Sequence, residues 1–174
     1  MDTTKLQSSL LAAGFPQLVQ AIDIIAWPSL RLYANPAQEA SLPTGASKLG
    51  GLPDLPVGWQ WPQWKGLPQA FIAQIRLAEV QRFRQEGIGE ALPERGLLWF
   101  FYDARQETYG DQPEDRGGWS ILFLEDEQAE LQRMPLPPGL PAASRFQACA
   151  LRFIPELTCS QQPALDIPNL LWNT

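Results

Sequence analysis

Prolines decide what most of this chain can become. Pro36, Pro43, Pro53, Pro56, Pro62 and Pro68 all fall within residues 35–68. Each fixes φ and lacks a backbone donor, so neither a helix nor a central ladder can run through that stretch. Order there has to come mostly from irregular structure with its own contacts. Trp59, Trp61 and Trp64 supply apolar surface of a kind that disordered segments lack. With 17 prolines in 174 residues, long uninterrupted helices are excluded.

The remaining segments read as short elements. Leu6, Leu10, Leu11 and Ala13 share a helical face over 3–13, with Thr3 or Thr4 as N-cap and Gly14 as stop. Pro16 suits a second helix start, and Leu18, Val19, Ile22, Ile25 and Ala26 continue an apolar stripe up to Trp27-Pro28. Alternation over 29–34 predicts a half-buried strand. Residues 70–75 predict another, followed by a helix over 77–85 that aligns Leu77, Val80 and Phe83 and closes at Gly87 and Gly89.

The nearly continuous apolar run 96–102 predicts a central strand buried on both faces, and 119–124 a second of the same kind, paired antiparallel with it. A weaker strand over 130–134 precedes the stiff segment 135–141, which suits either a linker or a surface strap. Strand character returns over 145–153, and a short helix is expected over 164–171. The predicted class is α+β: mostly antiparallel sheet with an N-terminal helical hairpin, a long Trp/Pro-rich loop and a few short helices. A chain of this length suits one domain, with helices over 1–28 and a strand-rich core over 29–174.

Charge and composition then remove function classes. The net charge is -6, and no dense group of Lys and Arg exists to neutralise phosphates, so nucleic acid is not an expected partner. The negative charge gathers between Glu79 and Glu130, where it either steers a basic partner or simply solvates a face. Cys149 and Cys159 are too few for a disulfide framework, and no basic, apolar leader precedes the first helix, which predicts a cytoplasmic protein. Apolar runs such as 97–102 fall far short of the roughly 20 residues that span a bilayer, so no membrane insertion is expected.

The chain contains no histidine, which removes the usual general base, the Ser-His-Asp and Cys-His arrangements and the commonest zinc ligand. Cys149, set among Phe146, Ala148, Ala150 and Leu151, reads as buried and inert, and a Cys149–Cys159 disulfide depends on geometry. Gly50-Gly51 matches neither a P-loop nor a dinucleotide fingerprint. The two glycines instead suit a turn at positive φ or a close approach to another segment, and no cofactor is implied.

Two constellations remain. Asp103, Asp111, Glu114 and Asp115 lie between predicted strands and are the candidates for hard-cation ligands or a carboxylate acid–base pair; Arg105 and Arg116 nearby offer the plainer alternative of a salt-bridged turn. Trp59, Trp61 and Trp64, interleaved with Pro56, Pro62 and Pro68, suit recognition of a peptide, a sugar or a planar ligand. They equally suit a small core that pins the loop to the sheet.

The run Ser47-Lys48-Leu49-Gly50-Gly51-Leu52-Pro53-Asp54-Leu55-Pro56, then Gly58, Trp61-Pro62 and 71–79, resembles the YwqG-like family of uncharacterised bacterial proteins. Leu92-Pro93, 96–98, 100–103 and Pro113-Glu114-Asp115 continue the resemblance in order. It implies an α+β fold dominated by antiparallel strands, with no established biochemical role and no catalytic residues to carry over. The family's recurring positions map onto Gly50, Gly51, Pro53, Ala73, Gln74, Ile75, Phe101, Tyr102 and Asp103, as structural or cleft-lining residues. Members of that family usually run longer, with a C-terminal portion that repeats part of the pattern. A shorter form is expected to leave a sheet edge unpaired, and such an edge favours a homodimer or an exchange of strands.

Together these observations favour a noncatalytic binding or protein-interaction module, with Trp59, Trp61, Trp64, Gln74 and Asp103 lining a cleft for a protein, peptide or small ligand. The alternative is a carboxylate-based enzyme in which the acidic cluster either holds a divalent ion or shares a proton.

Overall fold

The computed structural model describes residues 3–19, 22, 26–84 and 88–159. The expected helix over 164–171, Ile25 and Gly87 lie outside the described residues. Two compact units result: Met1–Arg31 with Phe83–Ile88 and Ile154–Thr174, and a larger one of Leu32–Arg82 with Gly89–Phe153.

In the smaller unit α1 (Thr3–Ala12) ends as its sequence demands, at Gly14 with φ 84°. α2 (Pro16–Val19) follows. The expectation that helix continues to Ala26 is overturned, because β1 (Ala26–Pro36) already begins there and takes in Trp27-Pro28. β1 is the outermost strand in its sheet, the place where a proline is best tolerated because only one side of the strand is paired. Arg31 Nε donates to Glu156 Oε2 at 2.6 Å across the exposed surface of this unit.

The larger unit carries β2 (Lys48–Leu49), β3 (Asp54–Pro56), β4 (Gln63–Trp64), β5 (Leu67–Pro68), β6 (Ala70–Arg76), α3 (Leu77–Gln81), β7 (Leu97–Tyr102), β8 (Trp119–Leu124) and β9 (Leu131–Arg133). β10 (Cys149–Cys159) starts here. The main sheet has the order β1-β10-β2-β6-β7-β8, and β3–β9 and β4–β5 form two small ladders. The pairings from β10 to β8 and both small ladders are antiparallel, so the class is α+β as expected.

The proline-rich stretch is more ordered than its composition suggests. It holds four strand fragments of two or three residues, with Pro56 and Pro68 each ending one. Short ladders of this kind fit between prolines where a continuous strand cannot.

One core fills the larger unit. Leu97, Trp99 and Phe101 of β7 pack with Leu55, Trp61, Phe71, Ala104 and Leu140. Leu140 makes 135–141 a strap fixed to the core. α3 ends sooner than predicted, yet Leu77, Val80 and Phe83 are all buried.

The other face of β7 corrects the expectation of full burial: Leu98, Phe100 and Tyr102 are only half-buried. β8 departs further, with Trp119 46%, Ile121 60% and Phe123 40% exposed. It is not a second central strand, because it ends the sheet.

An irregularity in β6 sets which side chains face the core. Phe71 opposes Phe101, but after a shift between Phe71 and Ala73 it is Gln74 that opposes Trp99. The extra residue turns Phe71 and Gln74 to the same face, as a β-bulge does. Register then lays one row across the sheet: Ala150 opposite Lys48, Lys48 opposite Gln74, Gln74 opposite Trp99 and Trp99 opposite Leu122.

Candidate functional site

The middle of that row is polar and buried. Lys48 Nζ lies 3.0 Å from Glu39 Oε1 and 3.1 Å from Asp54 Oδ2, and the Lys48 and Asp54 side chains are fully buried. Asp54 is carried in by β3, whose partner strand β9 delivers Arg133 opposite it. Arg133 Nε donates to Asp54 Oδ1 at 2.8 Å, and its Nη1 and Nη2 reach the carbonyls of Glu39 and Leu42 at 2.6 and 2.9 Å. Two cations and two carboxylates thus close on one another.

Gln74 completes the cluster. Its Oε1 accepts from Asp54 N and from Trp99 Nε1, both at 2.9 Å, and its Nε2 donates to Ala46 O at 2.9 Å and Asp54 Oδ2 at 3.3 Å. Each amide atom has its partners, so Gln74 is a structural cross-brace and lines no cleft. Burial acts to raise the Asp54 pKa, but the hydrogen bonds from Arg133 and Gly45 N and the charge of Lys48 outweigh it and hold the carboxyl below its ordinary range. Asp54 in turn raises the Arg133 pKa.

Gly50 and Gly51 turn beside this cluster at φ 60° and 72°. A Cβ on Gly50 would collide with Gln147 O, and one on Gly51 with Glu39 Oε2. Both anticipated reasons for glycine therefore apply. Pro53 is fully buried, and its carbonyl accepts from Met134 N at 2.9 Å. Tyr102 is half-buried, between Ala70 and Trp119 in register.

Two of the four acidic candidates, Asp103 and Asp115, hold turns. Asp103 is buried, with Oδ1 accepting from Arg105 N at 3.0 Å and Oδ2 from Glu107 N at 3.1 Å and Thr108 Oγ1 at 3.0 Å. Burial works against its charge, yet those bonds and Arg105 keep its pKa lowered. Asp115 Oδ2 accepts from Tyr109 N and Gly110 N at 3.2 and 2.8 Å. Asp111 and Glu114 are exposed. Among the described residues no group of three or more His, Cys, Asp or Glu is placed to hold a metal ion.

The tryptophans divide. Trp61 is a core residue: it is 7% exposed, stacks edge-on against Phe101 at 5.7 Å and donates from Nε1 to Gln69 O at 2.7 Å. Trp64 is half-buried, with Nε1 donating to Arg116 O at 3.0 Å and Lys65 Nζ 4.0 Å from its ring centre. Trp59 is also half-buried, tilted on Trp99 at 5.9 Å and packed against the core cluster.

Trp59, Gln60, Trp61, Pro62 and Gln63 form one wall of an open groove of about 580 Å³ whose other wall is Ser120 and Leu122 of β8. The groove therefore lies along the last strand of the sheet. Cys149, expected to be buried, is half-buried and free, so no Cys149–Cys159 bridge forms; the two residues begin and end the same strand.

Sequence reasoning missed Glu39, Lys48, Asp54 and Arg133. Lys48 and Asp54 stand inside the run quoted for the family resemblance, but nothing in their spacing indicates that β9 brings Arg133 to them.

Fold and site together define an α+β protein in which the buried Lys48, Asp54 and Asp103 are committed to its own architecture and whose accessible features include a groove along the terminal strand of its sheet. The chain belongs to the family of the domain of unknown function DUF1963, whose profile matches residues 47–170. No curated protein matches the chain. Among the described residues no helix is long and apolar enough to cross a membrane.

Proposed function

We propose that this chain is a noncatalytic, cytoplasmic protein-interaction module of the YwqG-like, bacterial branch of its family, and that it takes an extended polypeptide along the groove between Trp59 and β8. The observation that carries this reading is the groove itself: a half-exposed tryptophan and Pro62 face Ser120 and Leu122 of the sheet's terminal strand. An edge strand offers unpaired backbone donors and acceptors, and a ligand strand that pairs with them places alternate side chains into an adjoining apolar wall. The absence of histidine supports a binding role over catalysis, and the net charge of -6 argues against nucleic acid as the ligand.

Backbone amide shifts of the labelled protein, followed during titration with synthetic peptides of alternating valine and threonine, test the reading. Shifts confined to 59–63 and 119–124, with at least about tenfold weaker binding by Trp59→Ala, are expected, since aromatic anchors dominate such interfaces. Absence of binding, or shifts mapping elsewhere, would overturn it.

A further inference from the structure

Beside the Gly50-Gly51 turn lies a second pocket, of about 280 Å³, that shares no lining residue with the groove at Trp59. Leu52, Leu136, Phe146 and Ala148 give it apolar walls, and Glu39 and Arg145 are its charged members. Leu136 and Phe146 stand 44% and 39% exposed, which leaves their hydrocarbon open to a ligand. The walls are fixed in advance. Ala37 N donates to Ala148 O and Gly51 N to Phe146 O, both at 2.9 Å, so the chain segments around the opening are tied to one another. Gly51 lets Glu39 and Ala148 close in, since a Cβ there would strike Glu39 Oε2 and the Ala148 methyl.

Of the two charges, Glu39 is already spent. Its Oε1 lies 3.0 Å from Lys48 Nζ and 3.2 Å from Arg133 Nε, and its Oε2 accepts from Leu52 N at 2.9 Å. With Asp54 these side chains carry two positive and two negative charges, so the cluster is neutral. Arg145 has no carboxylate partner among the described residues. Its Nε and Nη2 both donate to Leu140 O, at 3.2 and 2.7 Å, and Leu140 is buried in the core, so one edge of the guanidinium is anchored. The other edge, Nη1 with the second hydrogen of Nη2, donates to nothing among the described residues. Two parallel donors in one plane match the two oxygens of a carboxylate.

We infer that this pocket binds a small apolar monocarboxylic acid, with the carboxylate on the outer edge of Arg145 and the hydrocarbon against Phe146 and Leu136. One unspent cation beside a neutral cluster takes one anion, and a chain of net charge -6 opposes a polyanion. The volume falls just below the roughly 300–1,000 Å³ of pockets that enclose drug-sized ligands, which sets the size of the acid. A free acid fits better than the terminus of a peptide. The amides of Ala37, Gly51 and Leu52 are committed to Ala148 O, Phe146 O and Glu39 Oε2, and so are closed to a peptide's main chain.

The test is calorimetric titration of the full chain with 3-phenylpropanoate, with two comparison ligands. 3-Phenylpropanamide keeps the hydrocarbon and loses the charge, and acetate does the reverse. Saturable binding of the acid at about 1 mM or tighter is expected, weakened about tenfold or more for the amide and for acetate. Backbone amide shifts are expected at 37–39, 51–52, 136 and 145–148. Arg145→Gln is expected to lose about tenfold for the acid, so that acid and amide bind it alike, with an unchanged circular dichroism spectrum because Arg145 is exposed. Arg145→Lys should recover only part of the loss, since an ammonium offers no planar pair of donors.

Equal affinity for acid and amide in the wild type, or an Arg145→Gln variant that binds the acid unchanged, would overturn the role of the guanidinium and with it the proposal. No saturation by about 10 mM acid, or shifts confined to residues outside the pocket, would overturn the site. Tighter binding of glycylglycylphenylalanine than of 3-phenylpropanoate would replace the free acid by a chain terminus. None of these outcomes bears on the groove at Trp59, which is built from other residues.

Discussion

Lys48 Nζ and Asp54 Oδ2 stand 3.1 Å apart with neither side chain open to solvent. A buried charge is tolerable only while its partners are present, and loss of one partner from such a pair costs about 3–5 kcal/mol. Lys48→Met should therefore destabilise the protein by that order, read from urea unfolding with an unchanged slope. A loss below about 0.5 kcal/mol would show that Arg133 alone satisfies both carboxylates.

Acid should act through the same group. The Asp54 carboxyl lies below its ordinary value of 3.8 in the fold, so its stabilising contribution is complete above 3.8 and disappears as pH falls through the lower folded value. Asp103 is shifted the same way and adds to the loss. Unfolding free energy should fall as pH is lowered below about 4, and Asp54→Asn should flatten that dependence at the expense of stability near neutrality. An unaltered acid profile in the variant would remove Asp54 from the account.

Trp61 and Trp59 should separate in stability. Replacing buried Trp61 by Ala empties core volume beside Phe101 and leaves Gln69 O without its donor, a loss of about 3–5 kcal/mol. Trp59→Ala removes a half-buried ring and should cost clearly less while taking one side chain from the groove wall. Thermal unfolding of the two variants decides this; equal losses would make Trp59 a core residue in all but exposure.

Gly50→Ala should be costly although it adds a single methyl. The positive φ disfavours an L side chain by roughly 1–2 kcal/mol, and the added Cβ meets Gln147 O, which belongs to backbone and cannot swing aside. By contrast Gly58→Ala, also at positive φ but with nothing within 4 Å of its Cβ position, should show the conformational part alone. The difference in urea midpoint between the two variants measures the steric part, and equal midpoints would refute it.

Local chemistry by itself determined several features of this protein. The apolar run that became β7, the strand that became β6, the stop at Gly14 and the antiparallel pairing of β7 with β8 all follow from side-chain pattern and backbone preference, which act over a few neighbouring residues. The same locality explains the misjudged segments. The stripe leading to Trp27-Pro28 suited a helix until sheet pairing claimed Ala26 onward, and the apolar character of β8 suggested burial that its place at the end of the sheet does not provide.

Only tertiary structure decided the site. Glu39, Lys48, Asp54, Gln74 and Arg133 are scattered through the chain, and it takes the β6 bulge, the β2–β6 register and the β3–β9 ladder to bring them within hydrogen-bond distance. Trp59 and Trp61 share one loop yet differ in exposure because β7 and β8 lie beneath that loop, and a sequence does not reveal what will be packed against it. Electrostatic and packing energies depend on distances through space, and those are set when the sheet closes.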